Sequence, residues 1–400
     1  MIRISTFVLL VLWTCQCTGQ PPRPTVESPS GAATVPSKVL MGADQLDKIL
    51  PLTKGKNVAL VVNHTSLVNN QTHLADTLIS LGVTIRKIFA PEHGFRGMAA
   101  NGEHVKDGVD TKTGLPIVSL YGANRKPTTA QVADVDVIIF DIQDVGARFY
   151  TYISTMHYMM ESCAENNKQL IVLDRPNPHG GYFDGPILQP AFKSFVGMHA
   201  IPIVHGLTVA ELAQMINGEG WLAGGKKCEL KIVKVHGWKH HDEYVLPVKP
   251  SPNLPNQQSI KLYPSVCLLE QTVISIGRGT EFPFQVLGNP LLKSYAFQFT
   301  PINMPGVAVN PPHENKLCYG LDLRQASVPT DKIDLQYIFE MYKAYPEKDK
   351  FFIGMFDKIM GNDVFKKQLK DGLTEAQIRD SWKDGLAQYE KMRAKYLLYP

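Results

Sequence analysis

Several catalytic signatures are missing from this sequence, and each absence removes a class. No GxGxxG turn follows a strand and no GxxxxGK[ST] loop occurs, which argues against NAD and ATP as cofactors. GxSxG and HExxH are absent too, which lowers the serine-hydrolase and zinc-protease readings. Charge of one sign is also lacking. Forty-one basic against 37 acidic side chains leave a formal +4, spread thinly. No Lys/Arg cluster is interleaved with aromatics, so no nucleic-acid partner is implied. The N-terminal apolar run, Phe7-Val8-Leu9-Leu10-Val11-Leu12-Trp13, falls far short of the roughly 20 residues of a membrane span. Cysteines are few, and Cys163, Cys228, Cys267 and Cys318 lack CxxC spacing. They read as buried free thiols in a core large enough to need no crosslinks.

What is present is an ordinary globular composition. Apolar residues make up 44% and charged residues 20% of 400 positions, enough for two domains with full cores. One charge at Arg3, the short apolar run and small residues after it fit a secretory signal over residues 1–19. A Pro/Ser/Thr-rich tether follows over 20–39. Cys15 and Cys17 stand where a lipoprotein cysteine would, although bulky Trp13 weakens the match, so lipid anchoring and simple cleavage both fit.

From Lys56 one pattern repeats. A short apolar run, suited to a strand buried on both faces, ends abruptly in polar residues, and a helical segment often follows. The runs are 58–62, 83–89, 116–120, 135–140 and 169–173, with helices expected over 72–81 and 150–166. Alternation of this kind implies a mostly parallel sheet with right-handed crossovers. Every strand's carboxyl end then lies on one edge, where ligands bind. Polar clusters spread from His64 to Asn177 therefore converge in space.

The first cluster is Pro91-Glu92-His93-Gly94-Phe95-Arg96-Gly97, a loop carrying a carboxyl, an imidazole and a guanidinium to that edge. Catalysis by Glu92 and His93 competes here with a plain Glu92–Arg96 pair that shapes the loop. The second holds Asp141, Asp144 and Arg148, just before Tyr150. Asp141 is read as half of a structural Asp–Arg pair, while Asp144 stays open as a catalytic group. The third, Asp174-Arg175-Pro176-Asn177-Pro178, is rigid and suits ligand hydroxyls or an anion, though Arg175 equally could brace the loop.

Two tempting groups are explained locally. Glu211 closes a capping box with Thr208. His236, His240, His241, Asp242 and Glu243 read as a solvated loop, so no metal site is assigned. A proline-rich strap over 249–256 marks the domain join, giving domains over 40–252 and 253–400. Beyond it Glu270, Arg278 and Glu281 lie among turn-forming glycines, a plausible interdomain binding edge. Ile378, Trp382, Leu386, Tyr389, Met392 and Tyr396 recur as one face of a closing helix.

The PEHGFRG loop, residues 140–150, residues 174–178 and residues 277–283 resemble the NamZ family, exo-β-N-acetylmuramidases of bacterial cell-wall recycling. The resemblance covers nearly the whole chain from about residue 40. It implies a Rossmann-like α/β domain, a smaller C-terminal α/β (α+β) domain and an active site in the cleft between them. It implies release of terminal β-linked N-acetylmuramic acid from peptidoglycan fragments by an exported, periplasmic protein that needs no cofactor. The family's PEHG glutamate maps onto Glu92. Two departures stand out: Leu269-Glu270-Gln271-Thr272 replaces the usual Phe-Glu-Gly-Thr, and Gln285 replaces a glutamate.

On this basis Glu92 is the expected general acid, tuned by His93 or Asp144. Glu270 is the second group, as nucleophile or base, unless the substrate's own N-acetyl group attacks. Arg148 or Arg175 would receive the lactyl carboxylate. His64, Arg96, Tyr150, Asp174, Asn177, Arg278 and Glu281 complete the expected substrate contacts. Two other readings remain open: a non-catalytic sugar-binding lipoprotein, and a metal-assisted esterase built on His64, His93 and Asp144.

Overall fold

The computed structural model describes residues 39–96, 107–122 and 124–400. The proposed signal, the tether up to residue 38, and Cys15 and Cys17 lie outside the described residues. Seven strands form the main sheet: β1 Val58–Val62, β2 Ile85–Ala90, β3 Gly108–Val109, β4 Pro116–Ser119, β5 Val137–Asp141, β6 Gln169–Leu173 and β7 Glu229–Val233. Their spatial order is β3-β4-β2-β1-β5-β6-β7. All neighbours are parallel except the short β3, which runs antiparallel to β4. Without β3 this is the Rossmann order, whose direction of winding reverses between β1 and β5.

Both faces of the sheet are covered at its centre, which is why β1 and β5 are buried along their length and almost wholly apolar, whereas β3 and β7 at the edges keep exposed residues. In β1, Val58, Leu60 and Val62 pack with Ile49, Leu74 and Leu78 on one face. Ala59 and Val61 face the other way, into a core with Met156, Met160 and Ile216. That second core runs on into the C-terminal part through Tyr263, Phe284 and Phe356. There a three-stranded antiparallel sheet, β8 Val286–Asn289, β9 Phe297–Phe299 and β10 Cys318–Asp322, is ordered β8-β10-β9. Residues 38–400 make one compact unit. The four described cysteines are free and buried.

Local chemistry shifts several expected boundaries. The helix expected from residue 72 begins at Leu74, because Thr72 and His73 pair with Val68 and Leu67 in a small ribbon. His73 then caps the helix, its Nδ1 accepting from Ala75 N at 3.2 Å. The closing helix is two helices, Glu375–Asp380 and Lys383–Arg393. Ser381 Oγ donates to the Ile378 carbonyl at 2.6 Å, offering the backbone an alternative to the helical ladder at the break. His240 is not in a solvated loop: it is buried, with Nε2 2.9 Å from Glu211 Oε1. The Glu211 capping box is present as expected.

Most polar residues beyond β5 and β6 are framework rather than site. Arg148 is fully buried and donates to four carbonyls, Pro186 and Ile201 at 2.8 Å, Met360 at 2.8 Å and Ile359 at 3.0 Å. It ties the sheet domain to the helix Phe356–Met360. Asp141 does form a buried Asp–Arg pair, but with Arg175, through Nε at 2.6 Å and Nη2 at 2.9 Å. Asp174 accepts from Tyr399 Oη at 2.6 Å and Ala210 N at 3.0 Å, anchoring the chain's end beneath the sheet. Asn177 spans Leu207 O at 2.9 Å and His179 N at 2.8 Å. None of these four expected substrate contacts, Arg148, Asp174, Arg175 and Asn177, lines the main cavity. Apart from Arg148 Nε, which is buried without a hydrogen-bond partner among the described residues, their side-chain polar atoms are committed to neighbouring backbone and side chains instead.

Candidate active site

The cavity is built at the carboxyl edge of the sheet. After β2, the turn at Pro91 closes through Gly94 N to Pro91 O at 3.0 Å. His93 and Gly94 both take left-handed φ, 68° and 76°. A non-glycine residue there is uncommon, so the loop holds His93 against its preference. This path turns Glu92 inward, leaving it 8% exposed. Thr151, which precedes the helix Tyr152–Glu165, donates from Oγ1 to Glu92 Oε2 at 2.8 Å. Burial, the Glu92 charge and a hydrogen bond to that carboxylate push the Tyr121 phenol up from its ordinary value.

The facing wall comes from the C-terminal part. Helix Gln257–Val266 runs into a tight turn, Cys267–Leu269, which delivers Glu270. Arg278 donates to Glu270 Oε1 from Nε and Nη2, both at 2.7 Å. Its guanidinium lies 5.0 Å from the Phe284 ring centroid, so cation–π contact fixes the pair from below. The proline-rich strap adds Ser251 and Asn253, and Tyr150 Oη donates to the strap at Pro250 O, 2.9 Å away. Together these walls enclose a cavity of 420 Å³.

Of the residues expected from sequence, the structure brings Glu92, His93, Tyr150, Glu270 and Arg278 to this cavity. His64 and Arg96 line a neighbouring groove. There His64 Nε2 meets Lys249 O at 2.8 Å, and Arg96 pairs with Asp110 at 2.9 Å rather than with Glu92. Glu281 is exposed and outside the cavity. Asp144 does not touch the cavity either. It is buried, and its charge is felt at Tyr150 and Tyr152, so it acts on the site only through them. The proposed His64, His93 and Asp144 metal set is therefore not assembled. Among the described residues no cluster of three or more His, Cys, Asp or Glu could hold a metal ion.

Sequence reasoning missed Tyr121, Arg125, Thr151, Tyr152, Phe195 and Lys358. Tyr121 had a signal, since it ends a strand. Thr151 had one as well, standing just past the 140–150 run.

Burial leaves Asp144 pushed up to about 7, against which hydrogen bonds from Gly146 and Val145 act. A carboxyl raised in the folded state binds its proton more tightly than the unfolded chain does. The stability it contributes is complete below about pH 4 and is lost as pH rises through about 7. Asp144→Asn cannot titrate and can still accept from Gly146 N. Thermal melts should show its Tm falling less than the parent's between about pH 5 and 8. Parallel Tm profiles would contradict the burial argument.

Rossmann strand order without a nucleotide loop, and a cavity walled by carboxylates from both parts of the chain, define an α/β protein arranged as carbohydrate-cleaving enzymes are. The chain belongs to the NamZ family. Residues 58–258 match the family model described as exo-beta-N-acetylmuramidase NamZ, N-terminal, and residues 261–399 match its C-terminal counterpart. The peptidoglycan beta-N-acetylmuramidase NamZ of Bacillus subtilis (strain 168) is 39% identical over 378 residues, 88% of this chain and 90% of that protein. Two crystal structures of DUF1343 family proteins from Bacteroides fragilis NCTC 9343 are similar. One has a TM-score of 0.85 at 43% identity, covering 91% of this chain and 99% of the other. The second has a TM-score of 0.77 at 31% identity, covering 90% and 99%.

Proposed function

We propose that this protein is an exo-acting β-N-acetylmuramidase, hydrolysing terminal β-linked N-acetylmuramic acid from peptidoglycan fragments. The observation that carries the reading is the placing of Glu92 and Glu270, one from each part of the chain, in a single cavity. Glycosidic cleavage needs an acid at the leaving oxygen and a second group across the sugar. The cavity volume lies within the roughly 300–1,000 Å³ of small-ligand sites.

Glu92 is the proton donor. Thr151 and Tyr121 hold its carboxyl, so the proton is presented from a fixed direction. Glu270, ion-paired with Arg278, is the group on the other side. Both Arg278 contacts fall on Oε1, and among the described residues Oε2 has only the weak Cys267 thiol at 3.5 Å. That oxygen is the one placed to act on the anomeric carbon or on a water. His93 and Tyr150 shape the sugar's surroundings. The same reading favours a protein outside the cytoplasm, where its substrate lies, with the N-terminal residues as an export signal that ends either in simple cleavage near residue 19 or in lipidation at Cys15 or Cys17.

The test is incubation with the disaccharide MurNAc-β-1,4-GlcNAc, following products by mass spectrometry. Free MurNAc is the expected product. Saturable binding without cleavage would instead favour a sugar-binding protein.

A further inference from the structure

N-Acetylmuramic acid differs from N-acetylglucosamine by a lactyl ether that ends in a carboxylate, and a site selecting it needs a cation at that position. Arg148 is committed to four carbonyls, Arg175 to Asp141 and Arg96 to Asp110. Among the described residues three cations line the cavity: Arg125, Arg278 and Lys358. Arg278 spends Nε and Nη2 on Glu270, which leaves Nη1, buried and without a hydrogen-bond partner among the described residues, but no paired edge for a bidentate carboxylate. Lys358 is an exposed point charge on a long stem.

Arg125 is different. Its Cζ lies 4.4 Å from the Phe195 ring centroid, and Phe195 is stacked on Tyr158 at 6.3 Å and 12°. The guanidinium therefore sits over the face of an aromatic ring that is itself backed by a second ring. The nearby carboxylates Glu161 and Glu165 pair with Lys126 instead, at 3.5 and 2.9 Å. Among the described residues none forms an ion pair with Arg125. Its charge is felt at Tyr121, the phenol bonded to Glu92, so it stands on the acid's side of the cavity. A carboxylate on the same sugar whose glycosidic oxygen meets Glu92 comes within its reach.

We infer that Arg125 is the specificity-determining residue of this site, its guanidinium pairing in bidentate fashion with the lactyl carboxylate of N-acetylmuramic acid. The inference rests on the muramidase reading above. It carries a consequence for substrate choice. A stem peptide is attached through that same carboxylate as an amide, so peptide-bearing muramic acid loses the ion pair, and unsubstituted sugar is preferred.

The test compares the full-length protein with Arg125→Gln and Arg125→Lys on 4-nitrophenyl β-N-acetylmuraminide, on its lactyl methylamide and on 4-nitrophenyl β-N-acetylglucosaminide. Losing a charge-assisted bidentate pair should raise KM for the free-acid muraminide about 10- to 100-fold in Arg125→Gln, with kcat little changed. Arg125→Lys should recover part of that loss, keeping charge without the fork. The methylamide should already bind poorly to the parent, and Arg125→Gln should not worsen it. Slow turnover of the glucosaminide should be equal in all three proteins. Since Arg125 is exposed, Tm should hold. An unchanged KM for the free acid, or an equal loss on acid and amide, overturns the assignment while leaving the muramidase reading intact. No turnover of any muraminide by the parent removes both.

Discussion

Glu92→Gln should lower kcat on the natural disaccharide by about 10²–10⁴, the usual contribution of a positioned general acid. Glutamine keeps the size of the side chain and an oxygen that can accept from Thr151 Oγ1, so the loop after β2 and the cavity should keep their shape. What it lacks is a proton to give. The loss should therefore depend on the leaving group. An N-acetylglucosamine alkoxide cannot depart unprotonated, whereas 2,4-dinitrophenolate needs no acid. On the dinitrophenyl muraminide the variant should come within about tenfold of the parent, because protonation no longer limits the bond-breaking step. Steady-state kinetics on the two substrates separate the possibilities. An equal loss on both would mean that Glu92 is the nucleophile or a purely positional group, and the acid would have to be sought elsewhere in the cavity.

Five strands of the main sheet, β1, β2, β4, β5 and β6, were legible as short runs because the sheet's centre, β1, β5 and β6, is buried on both faces. The exposed two-residue β3 and the alternating, partly exposed β7 gave no such run. Strand-end logic pointed to Glu92 and His93, which line the cavity, with no knowledge of the C-terminal part. It failed beyond β5 and β6 for a physical reason. A polar residue at a strand end meets either a ligand or the returning chain, and spacing does not distinguish them. Asp174, Arg175 and Asn177 meet other parts of the chain: Asp174 accepts from Tyr399, Arg175 donates to Asp141 at the end of β5, and Asn177 donates to Leu207 O. Those partners lie as far as 225 positions away, beyond any local pattern. Lys358 was invisible for the converse reason, since it reaches the cavity only because a distant helix is docked there. Arg125 sat three residues past a recognised strand ending, Tyr121-Gly122, but a lone arginine in a loop carries no signal until Phe195 is seen beneath it.

Arg148 shows how the two outcomes can be told apart by experiment. It was expected to receive the substrate's carboxylate, yet it is the largest fully buried side chain, and burial alone pulls its guanidinium down from the ordinary value. Such a charge is tolerated because four carbonyls converge on Nη1 and Nη2. Arg148→Met removes the donors and leaves those carbonyls without them, each a cost of about 1–3 kcal/mol that relaxation only partly recovers. A net destabilisation of about 3–5 kcal/mol should follow, lowering Tm by about 4–7 °C in a unit of this size. The damage has a direction. Two of the four carbonyls belong to Ile359 and Met360, and the same helix places Lys358 and Ile359 in the cavity wall. Protein that still folds at low temperature should therefore have lower activity on every substrate, charged or neutral, because the wall is loosened as a whole. If Tm is instead unchanged and only the free-acid muraminide suffers, Arg148 touches the lactyl group, and the buried cage of carbonyls is not what holds it.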